Sequence, residues 1–143
     1  MNDLEIAKDI LCREELTLAI VKNSRTLFET RSHRISGFLG AIEKYGAELE
    51  GASLADRVAG KAVALLCVYA EIKEVYAEVL SKKAKKLFEE NGIPVEWKEL
   101  VDNVLDVNRS GVCPFEKTAG DISDPKEAYK TFKMMLDSLK CRE

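Results

Sequence analysis

The sequence predicts an α/β fold in which a mixed β-sheet is covered by helices on both faces. A run of β-branched and aromatic residues around residue 20 is interrupted by a turn, which is typical of a β-hairpin. Further along, short apolar strands alternate with amphipathic helices, as in parallel strands joined by crossover helices. The 143 residues, 46% hydrophobic and 33% charged, have the composition of a globular protein. We therefore expect one domain, residues 1–143.

The N-terminal third predicts a helix, a hairpin and a second helix. Residues 3–14 form an amphipathic helix, because apolar residues recur on one face: Leu4, Ala7, Ile10 and Leu11. The hairpin turns at Asn23 and Ser24, and its first strand is apolar almost throughout, as expected for a strand covered on both faces. The second helix is weakened by two glycines, but it still shows helical spacing of apolar residues: Ile35, Phe38, Leu39 and Ile42.

The rest of the chain predicts three helices and two strands, besides a helix that starts near Cys113. Ser53 can cap a helix and Asp56 is an acid suited to its first turn, so we expect a helix from there to about residue 70. A strand at 74–80, a helix at 81–91 and a short strand at 93–97 follow, while 99–107 is ambiguous. The last helix starts with a predicted capping box, in which Asp124 is the cap, Pro125 lies in the first turn and Glu127 closes the box, and it ends near residue 140.

Charge and cysteine content exclude several classes of function. The net charge is -3, from 22 basic and 25 acidic residues that are spread along the chain, so we expect neither nucleic acid nor a membrane as partner. The four cysteines form no C-x-x-C pair, which argues against a zinc ribbon and a disulfide framework. Acids interrupt the first ten residues where a signal peptide needs an apolar run. These features predict a cytoplasmic protein.

Lys61 is the first candidate functional residue. It is the only charge between residues 58 and 70, in a predicted helix that is apolar around its whole circumference and hence buried. A lysine in that position must extend to water, pair with an acid or lower its pKa. One interpretation is that Lys61 reaches solvent or Asp56 from the first turns. The other is that it lines a cavity, where Gly60 lets a ligand or another backbone approach closely.

The predicted helix at 81–91 has charges that oppose its dipole. Four lysines lie in its N-terminal half, and Glu89 and Glu90 lie near its C-terminal end. A solvated face with ion pairs one turn apart explains this arrangement. Alternatively, Ser81, Lys82 and the free backbone N–H groups of the helix start receive an anion such as phosphate.

The segment N-R-S-G-V-C-P-F-E-K, residues 108–117, is the third candidate. Pro114 favours a helix that starts near Cys113, and Lys117 follows one turn later. A thiol at a helix N-terminus beside a cation has a lowered pKa and is a candidate nucleophile. A buried structural cysteine is the commoner case. The only histidine, His33, is distant in sequence, and nothing supports a Cys–His pair.

The order hairpin, helix, strand, helix, strand resembles the cytidine-deaminase-like fold. The motifs A-D-R-V-A-G-K-A-V-A-L-L, V-Y-A-E-V-L-S and C-P-F-E-K, within residues 55–117, resemble a small prokaryotic family of uncharacterised proteins assigned to this fold. The resemblance implies a three-layer α/β/α domain. In deaminases, H-A-E or C-A-E starts one helix and P-C-x-x-C the next, and together they hold zinc and the catalytic glutamate. Here Lys61 stands at the ligand position and Val63 at the glutamate, and L-S-K-K-A has no cysteine.

The resemblance implies that Lys61, Ser81 and the C-P-F-E-K segment face the cavity where deaminases hold a nucleoside. Because the zinc motifs are missing, we do not expect a zinc-dependent deaminase, a metal site or a cofactor. Our leading hypothesis is a metal-free pocket for a nucleotide or another anionic small molecule. Its candidate ligand-binding residues are Lys61, Ser81, Lys82, Asn108, Cys113, Glu116 and Lys117.

Two alternatives belong to other classes. The protein could be an enzyme that uses the Lys61 amine or the Cys113 thiolate as nucleophile, which makes these the candidate catalytic residues. It could instead be a structural module that forms a homo-oligomer through its apolar helices. The sequence leaves the ligand, any reaction and the pathway open.

Overall fold

The computed structural model of the protein describes residues 2–32, 35–104 and 114–141, with side chains in the last range up to residue 138. The described helices are α1 (Asp3–Arg13), α2 (Ser36–Tyr45), α3 (Lys61–Ala70), α4 (Lys82–Glu90), α5 (Pro114–Ala119) and α6 (Pro125–Cys141). The described strands are β1 (Leu18–Lys22), β2 (Arg25–Thr30), β3 (Ser53–Ala59), β4 (Glu74–Ser81) and β5 (Val95–Val101). A 3₁₀ turn at Gly46–Leu49 follows α2.

The described strands form one mixed sheet with the order β2-β1-β3-β4-β5. β1 pairs antiparallel with β2 and with β3, whereas β3, β4 and β5 run parallel to one another. Each parallel connection contains a helix, because parallel neighbours need a crossover to return to the same end of the sheet. The prediction of a mixed sheet that follows a hairpin is confirmed.

The hairpin turns where the sequence predicts it. Asn23 and Ser24 both have positive φ, 53° and 63°, which gives the turn a twist that matches paired strands. The carboxylate of Asp3, in α1, accepts hydrogen bonds from the backbone N–H groups of both turn residues, at 2.9 and 2.8 Å. The N-terminal helix therefore holds the tip of the hairpin.

Helices cover both faces of the sheet, and each face has its own core. Under α1 lies a small apolar cluster, which includes Leu11, Val21 and Ala55. The opposite face carries the larger core, packed under α2 to α6, where Phe88 and Phe132 are fully buried. β1 is buried on both faces from Leu18 to Val21, as its apolar sequence predicts.

The prediction that Ser53 to Asp56 start a helix is wrong, because these residues belong to strand β3. β3 pairs with β1 and with β4 along its two edges, and helices cover both faces of the sheet, so that Ser53, Leu54, Ala55 and Ala59 are buried. The Ser53 hydroxyl donates to the Glu74 carboxylate at 3.0 Å instead of capping a helix. The helix begins at Lys61 and ends at Ala70, the end that the sequence predicts. Its all-apolar pattern therefore belongs to a shorter helix that follows a buried strand.

The other boundaries agree with the prediction to within a few residues. β5 extends beyond the predicted short strand and takes in residues 99–101 of the ambiguous stretch. α1, α2, α4 and α6 lie where the periodicity places them. Among the described residues, none of the helices combines the length and the apolar character needed to cross a membrane.

Candidate functional site

The starts of α3 and α4 lie side by side, at the carboxyl ends of strands β3 and β4. β3 and β4 are parallel neighbours, and their last paired residues are Ala59 and Leu80. Gly60 follows the end of β3, and Ser81 is the last residue of β4; each directly precedes a helix. Ligands of open α/β sheets bind at the carboxyl ends of the strands. The fold thus brings the predicted residues Lys61 and Ser81 to the same end of the sheet.

A carboxylate from α5 occupies the start of α3. Glu116 Oε1 accepts a hydrogen bond from the backbone N–H of Ala62 at 2.5 Å, and the Glu116 carboxylate also accepts from the N–H of Lys61. The N-cap residue Gly60 has no side chain that could bind these groups. The first N–H groups of a helix lack intrahelical partners and carry its positive dipole end. Glu116 therefore serves as an anionic cap supplied from a distant part of the chain.

Gly60 is required by this contact. A Cβ atom at residue 60 would overlap the carboxyl carbon and both oxygens of Glu116. The backbone of Gly60 has φ -106°, which residues other than glycine also adopt, so the requirement is steric rather than conformational. The close approach expected at Gly60 is present, and the approaching group is a side-chain carboxylate instead of a ligand or a backbone.

Lys61 is half-buried at the first position of α3, not enclosed within an apolar helix, which corrects the burial expected from the sequence. Its position follows from the strand that replaces the first part of the predicted helix. Its Nζ donates to the carbonyl oxygen of Gly120, just after α5, at 3.3 Å. Lys61 and Glu116 thus tie α5 to the start of α3 through two separate contacts.

The electrostatic environment of Glu116 combines burial with positive charge. Burial raises the pKa of the Glu116 carboxyl, and the N–H groups of Ala62 and Lys61 oppose that rise. The ammonium groups of Lys83 and Lys61 also lower this pKa. Lys83 belongs to α4, so positive charge from both helix starts converges on one carboxylate. Lys83 is not among the residues predicted from the sequence, where its only signal is its place in the lysine-rich first half of α4.

The start of α4 is more fully satisfied by its own chain. Ser81 is completely buried, and its hydroxyl caps the helix by accepting from the N–H of Ala84 at 3.1 Å. Lys82 is exposed and forms an ion pair with Asp102 at 2.9 Å. Lys85 pairs with Glu89 one turn later, as the solvated-face interpretation expects. The α4 start therefore contributes chiefly its lysines to the site.

The remaining predicted residues divide into two groups. Lys117 is exposed on α5, next to Glu116. Asn108 and Cys113 lie outside the described residues, as does His33. The structure thus brings together Lys61, Glu116 and the beginning of α4, and it leaves the two predicted residues of the preceding segment untested.

Asp56 is a further acid with an altered environment. It lies within β3, and its Oδ1 accepts from the N–H of Val58 at 3.2 Å. Loss of hydration on burial raises the pKa of Asp56 to about 7, against smaller lowering effects from the N–H groups of Val58 and Arg57. The thiol of Cys67, on α3, is fully buried; its pKa is raised by burial and by the charge of Asp56.

The donor groups at the two helix starts do not fit the zinc site that the fold implies. Zinc in proteins is held by imidazole, thiolate and carboxylate groups. Here an ammonium group at Lys61 and a capping hydroxyl at Ser81 stand in place of such ligands. Within the described ranges, no group of three or more His, Cys, Asp and Glu residues is arranged to hold a metal ion.

Comparison with known families gives one match over most of the chain. Residues 6–136 match the family described as TM1506, domain of unknown function (DUF1893). The crystal structure of a DUF1893 family protein from Thermotoga maritima, at 2.70 Å resolution, is 28% identical to this chain. The similarity covers 94% of this chain and 90% of that one, with a TM-score of 0.84. No curated protein matches the sequence.

Two more distant solved structures share the fold. The dCMP deaminase from the cyanophage S-TIM5, in its apo form, is 15% identical over 66% of this chain and 93% of its own, with a TM-score of 0.50. RibD from Acinetobacter baumannii, form 1, is 17% identical over 67% of this chain and 34% of its own, also with a TM-score of 0.50. These similarities confirm the cytidine-deaminase-like α/β fold.

Proposed function

Because the chain belongs to the DUF1893 family, whose function is unknown, we propose that its deaminase-like fold carries a metal-free binding site for an anionic small molecule. The site lies at the starts of α3 and α4, and a nucleotide is the leading class of ligand. One observation carries the proposal: the N–H groups of Lys61 and Ala62 already bind an anion, the carboxylate of Glu116. The same combination of helix N-terminus and lysine side chains binds phosphate groups.

The charges around the site favour a ligand with more negative charge than one carboxylate. Lys61 and Lys83 both act on Glu116, and neither forms an ion pair with a carboxylate within 4.0 Å among the described residues. Lys82 is held by Asp102 in an exposed pair, which costs little to break. A phosphate group therefore interacts favourably with lysines that the single Glu116 carboxylate does not neutralise.

Glu116 is the competitor of the ligand in this proposal. A phosphate that binds the α3 amides takes the position of the Glu116 carboxylate, which then becomes free to accept hydrogen bonds from N–H or O–H groups of the ligand. Lys117, exposed on the same short helix, moves with Glu116 and meets the ligand charge from the solvent side. Asn108 and Cys113 complete the proposed set from the segment that precedes α5.

One structural neighbour is a dCMP deaminase, which supports a nucleotide as the class of ligand. That neighbour shares only the fold, so the test must separate nucleotides from other anions. We would measure melting temperatures with dCMP, CMP, deoxycytidine, inorganic phosphate and citrate. A ligand that binds the folded state raises the melting temperature by mass action.

Four variants make this test specific for the site. Lys61→Ala and Lys83→Ala should reduce the ligand-induced rise in melting temperature, whereas Glu116→Gln should increase it because the competing charge is removed. Lys86→Ala is the matched control, since Lys86 lies one turn further along α4 and is 80% exposed. Equal ligand-induced rises in the wild type, Lys61→Ala and Lys83→Ala would refute the site. No rise with any of the anions would refute this choice of ligands.

The nucleophile alternative has less structural support for Lys61. An amine is activated for attack in a dry pocket or beside another cation. Lys61 is half-buried at a helix start, and its Nζ donates to the Gly120 carbonyl. The thiol version, which depends on Cys113, stays a prediction because that residue lies outside the described part of the chain.

A further inference from the structure

Strand β5 forms an open edge of the sheet. β4 is the only described strand that pairs with it, so its outer N–H and C=O groups face away from the sheet. Residues 96–100 are all exposed, and Trp97 and Leu100 are 39% and 37% exposed. Such an edge is a ready template for another strand. Its side chains decide which strand fits.

The side chains of β5 alternate between two chemically different faces. Trp97 lies on the α4 side, where the Nζ of Lys85 is 5.4 Å from the centre of its ring. Glu96 lies on the α1 side, where it pairs with Lys8 at 3.0 Å. Because side chains alternate along a strand, Lys98 and Leu100 share the face of Glu96. Each face therefore offers one large apolar side chain to a neighbouring strand.

We propose that β5 pairs antiparallel with β5 of a second copy, in the register that places Trp97 opposite the partner's Trp97. A two-fold axis perpendicular to the sheet requires one residue to face its own copy, so only registers centred on a single residue are allowed. In the Trp97 register, Glu96 faces the partner's Lys98 and Lys98 faces the partner's Glu96. Opposite charges directly across strands stabilise the pair, and the two tryptophans pack together.

Most neighbouring registers are disfavoured by charge. Centring on Lys98 places two ammonium groups opposite each other, and centring on Glu99 does the same with two carboxylates. Centring on Leu100 sets Lys98 against the partner's Asp102, which lies outside β5, and only residues 99–101 of the two strands then overlap. The sequence of the edge thus permits one specific register and discourages unspecific strand association.

A depression beside β5 also fits the Trp97 register. It has a volume of about 360 Å³ and is lined by Glu89, Trp97 and residues 92–95. In the Trp97 register the partner's Val101 lies opposite Ile93, so an apolar side chain of the partner reaches the wall of this depression. In this register only residues 95–99 of each strand face strand residues of the copy, so the ladder is short, and interfaces that bury less than roughly 1,200 Å² are weak. We therefore expect a dimer whose population rises with protein concentration.

Sedimentation velocity over a concentration series tests the proposal, with Trp97 fluorescence as a second readout because Trp97 is the only tryptophan. The wild type should dimerise, and its emission should shift to shorter wavelength as the dimer forms. Lys98→Glu should prevent association, because it faces the partner's Glu96, and Glu96→Lys should do the same. The double variant Glu96→Lys/Lys98→Glu should restore the dimer. Glu99→Lys, which faces the partner's Val95, is the control and should associate as the wild type does.

Three results would overturn the proposal. The first is a wild type that stays monomeric at every concentration. The second is a dimer that Lys98→Glu and Trp97→Lys both leave intact, which would place the interface elsewhere, for example on the apolar helices. The third is a dimer that Lys98→Glu disrupts but Glu96→Lys does not, which would indicate the Leu100 register. Circular dichroism of each variant shows that the monomers are folded.

Discussion

The carboxylate of Glu116 lies against the Cα atom of Gly60, so close that a Cβ there would overlap both of its oxygens. The two residues are far apart in sequence, and their contact places an acid on the first N–H groups of α3. This contact fixes the position of α5 against the start of α3. A second contact, from the Lys61 ammonium group to the Gly120 carbonyl just after α5, holds the other end of that helix. The start of α3 is therefore capped by a carboxylate of the chain's own helix α5.

Gly60→Ala should release Glu116 from α3 and destabilise the protein. The loss of a helix cap costs about 0.5–2 kcal/mol, and the backbone of Gly60 itself accepts alanine without strain. In the Glu116→Ala background the same substitution should be neutral, or stabilising by up to about 1 kcal/mol, because the overlap is gone and the unfolded chain is less flexible. Urea denaturation of the four proteins measures this coupling.

Gly40→Ala is the matched control for that cycle. A Cβ at residue 40 would meet no atom within 4 Å, and Gly40 lies inside α2. Alanine should stabilise the helix by about 0.5–1 kcal/mol with either residue at position 116. If the effects of Gly60→Ala and Glu116→Ala on the free energy of unfolding are additive, the result contradicts a direct contact between residues 60 and 116.

Asp56 should make the protein less stable as the pH rises. Its pKa is 3.8 in the unfolded chain and about 7 in the fold, so between these values the folded state holds a proton that the unfolded state has lost. Stability is then fully present below about pH 4 and falls as the pH rises towards 7. Asp56→Asn cannot ionise, so its stability relative to the wild type should increase across this window, by an amount on the order of 2–4 kcal/mol.

Denaturation of both proteins at several pH values gives this difference directly, and other titrating groups cancel because both chains contain them. Asp102→Asn is the control, since Asp102 is 78% exposed in a surface ion pair. Its effect should stay within about 0.5 kcal/mol at every pH. A constant difference between Asp56→Asn and the wild type from pH 4 to 7 would show that Asp56 is ionised normally.

Arg57→Met should destabilise the protein by about 2–4 kcal/mol. The Arg57 guanidinium pairs with Glu78 at 2.6 Å and donates to the carbonyls of Leu11 and Leu16, both at 2.8 Å. Methionine leaves a partly buried carboxylate and two carbonyls without these donors. Arg57→Lys should recover only part of the loss, because a lysine lacks the planar fork that reaches all three acceptors.

Arg13→Ala is the surface control for that substitution. Arg13 is 64% exposed and pairs with Asp9 one turn away in α1. Exposed pairs of this kind contribute about 0–1 kcal/mol. Equal losses for Arg57→Met and Arg13→Ala in thermal or urea unfolding would contradict the role of Arg57 in holding α1 against the sheet.

Cys12 and Cys67 should differ strongly in alkylation. Cys12 is exposed, whereas Cys67 is fully buried and its thiol pKa is raised well above the ordinary value. Because the thiolate is the reactive form, iodoacetamide should modify Cys12 quickly and Cys67 only as the protein unfolds. Peptide mass spectrometry over time measures both sites, and Cys67 modification as fast as that of Cys12 would contradict the packing of α3.

The fold was predictable wherever local pattern and tertiary position agree. The Asn23–Ser24 turn is an example, because residues that tolerate positive φ separate two strand-like runs. The first half of the predicted central helix was wrong. Ser53 and Asp56 match a helix-capping pattern, but the same residue types also occur in a buried strand that carries polar side chains. What decides between the two is pairing with β1 and β4, which no local window contains.

The site was predictable in part for the same reason. Gly60 and Lys61 stood out because a glycine and a lone charge are unusual in an apolar run. The sequence indicated a close approach at Gly60, but the partner, Glu116, is brought there by the position of α5 in the fold. Lys83 was hidden among four lysines, and only the convergence of α3 and α4 distinguishes it from Lys86.

Backbone amide chemical shifts of Lys61 and Ala62 test the central claim most directly. In a ¹⁵N-labelled protein titrated with dCMP or inorganic phosphate, these two signals should move and saturate, and in Glu116→Gln they should saturate at lower ligand concentration. Val68, later in α3, serves as the internal reference. If ligand binding shifts other signals and leaves Lys61 and Ala62 unchanged, the start of α3 is not where the anion binds.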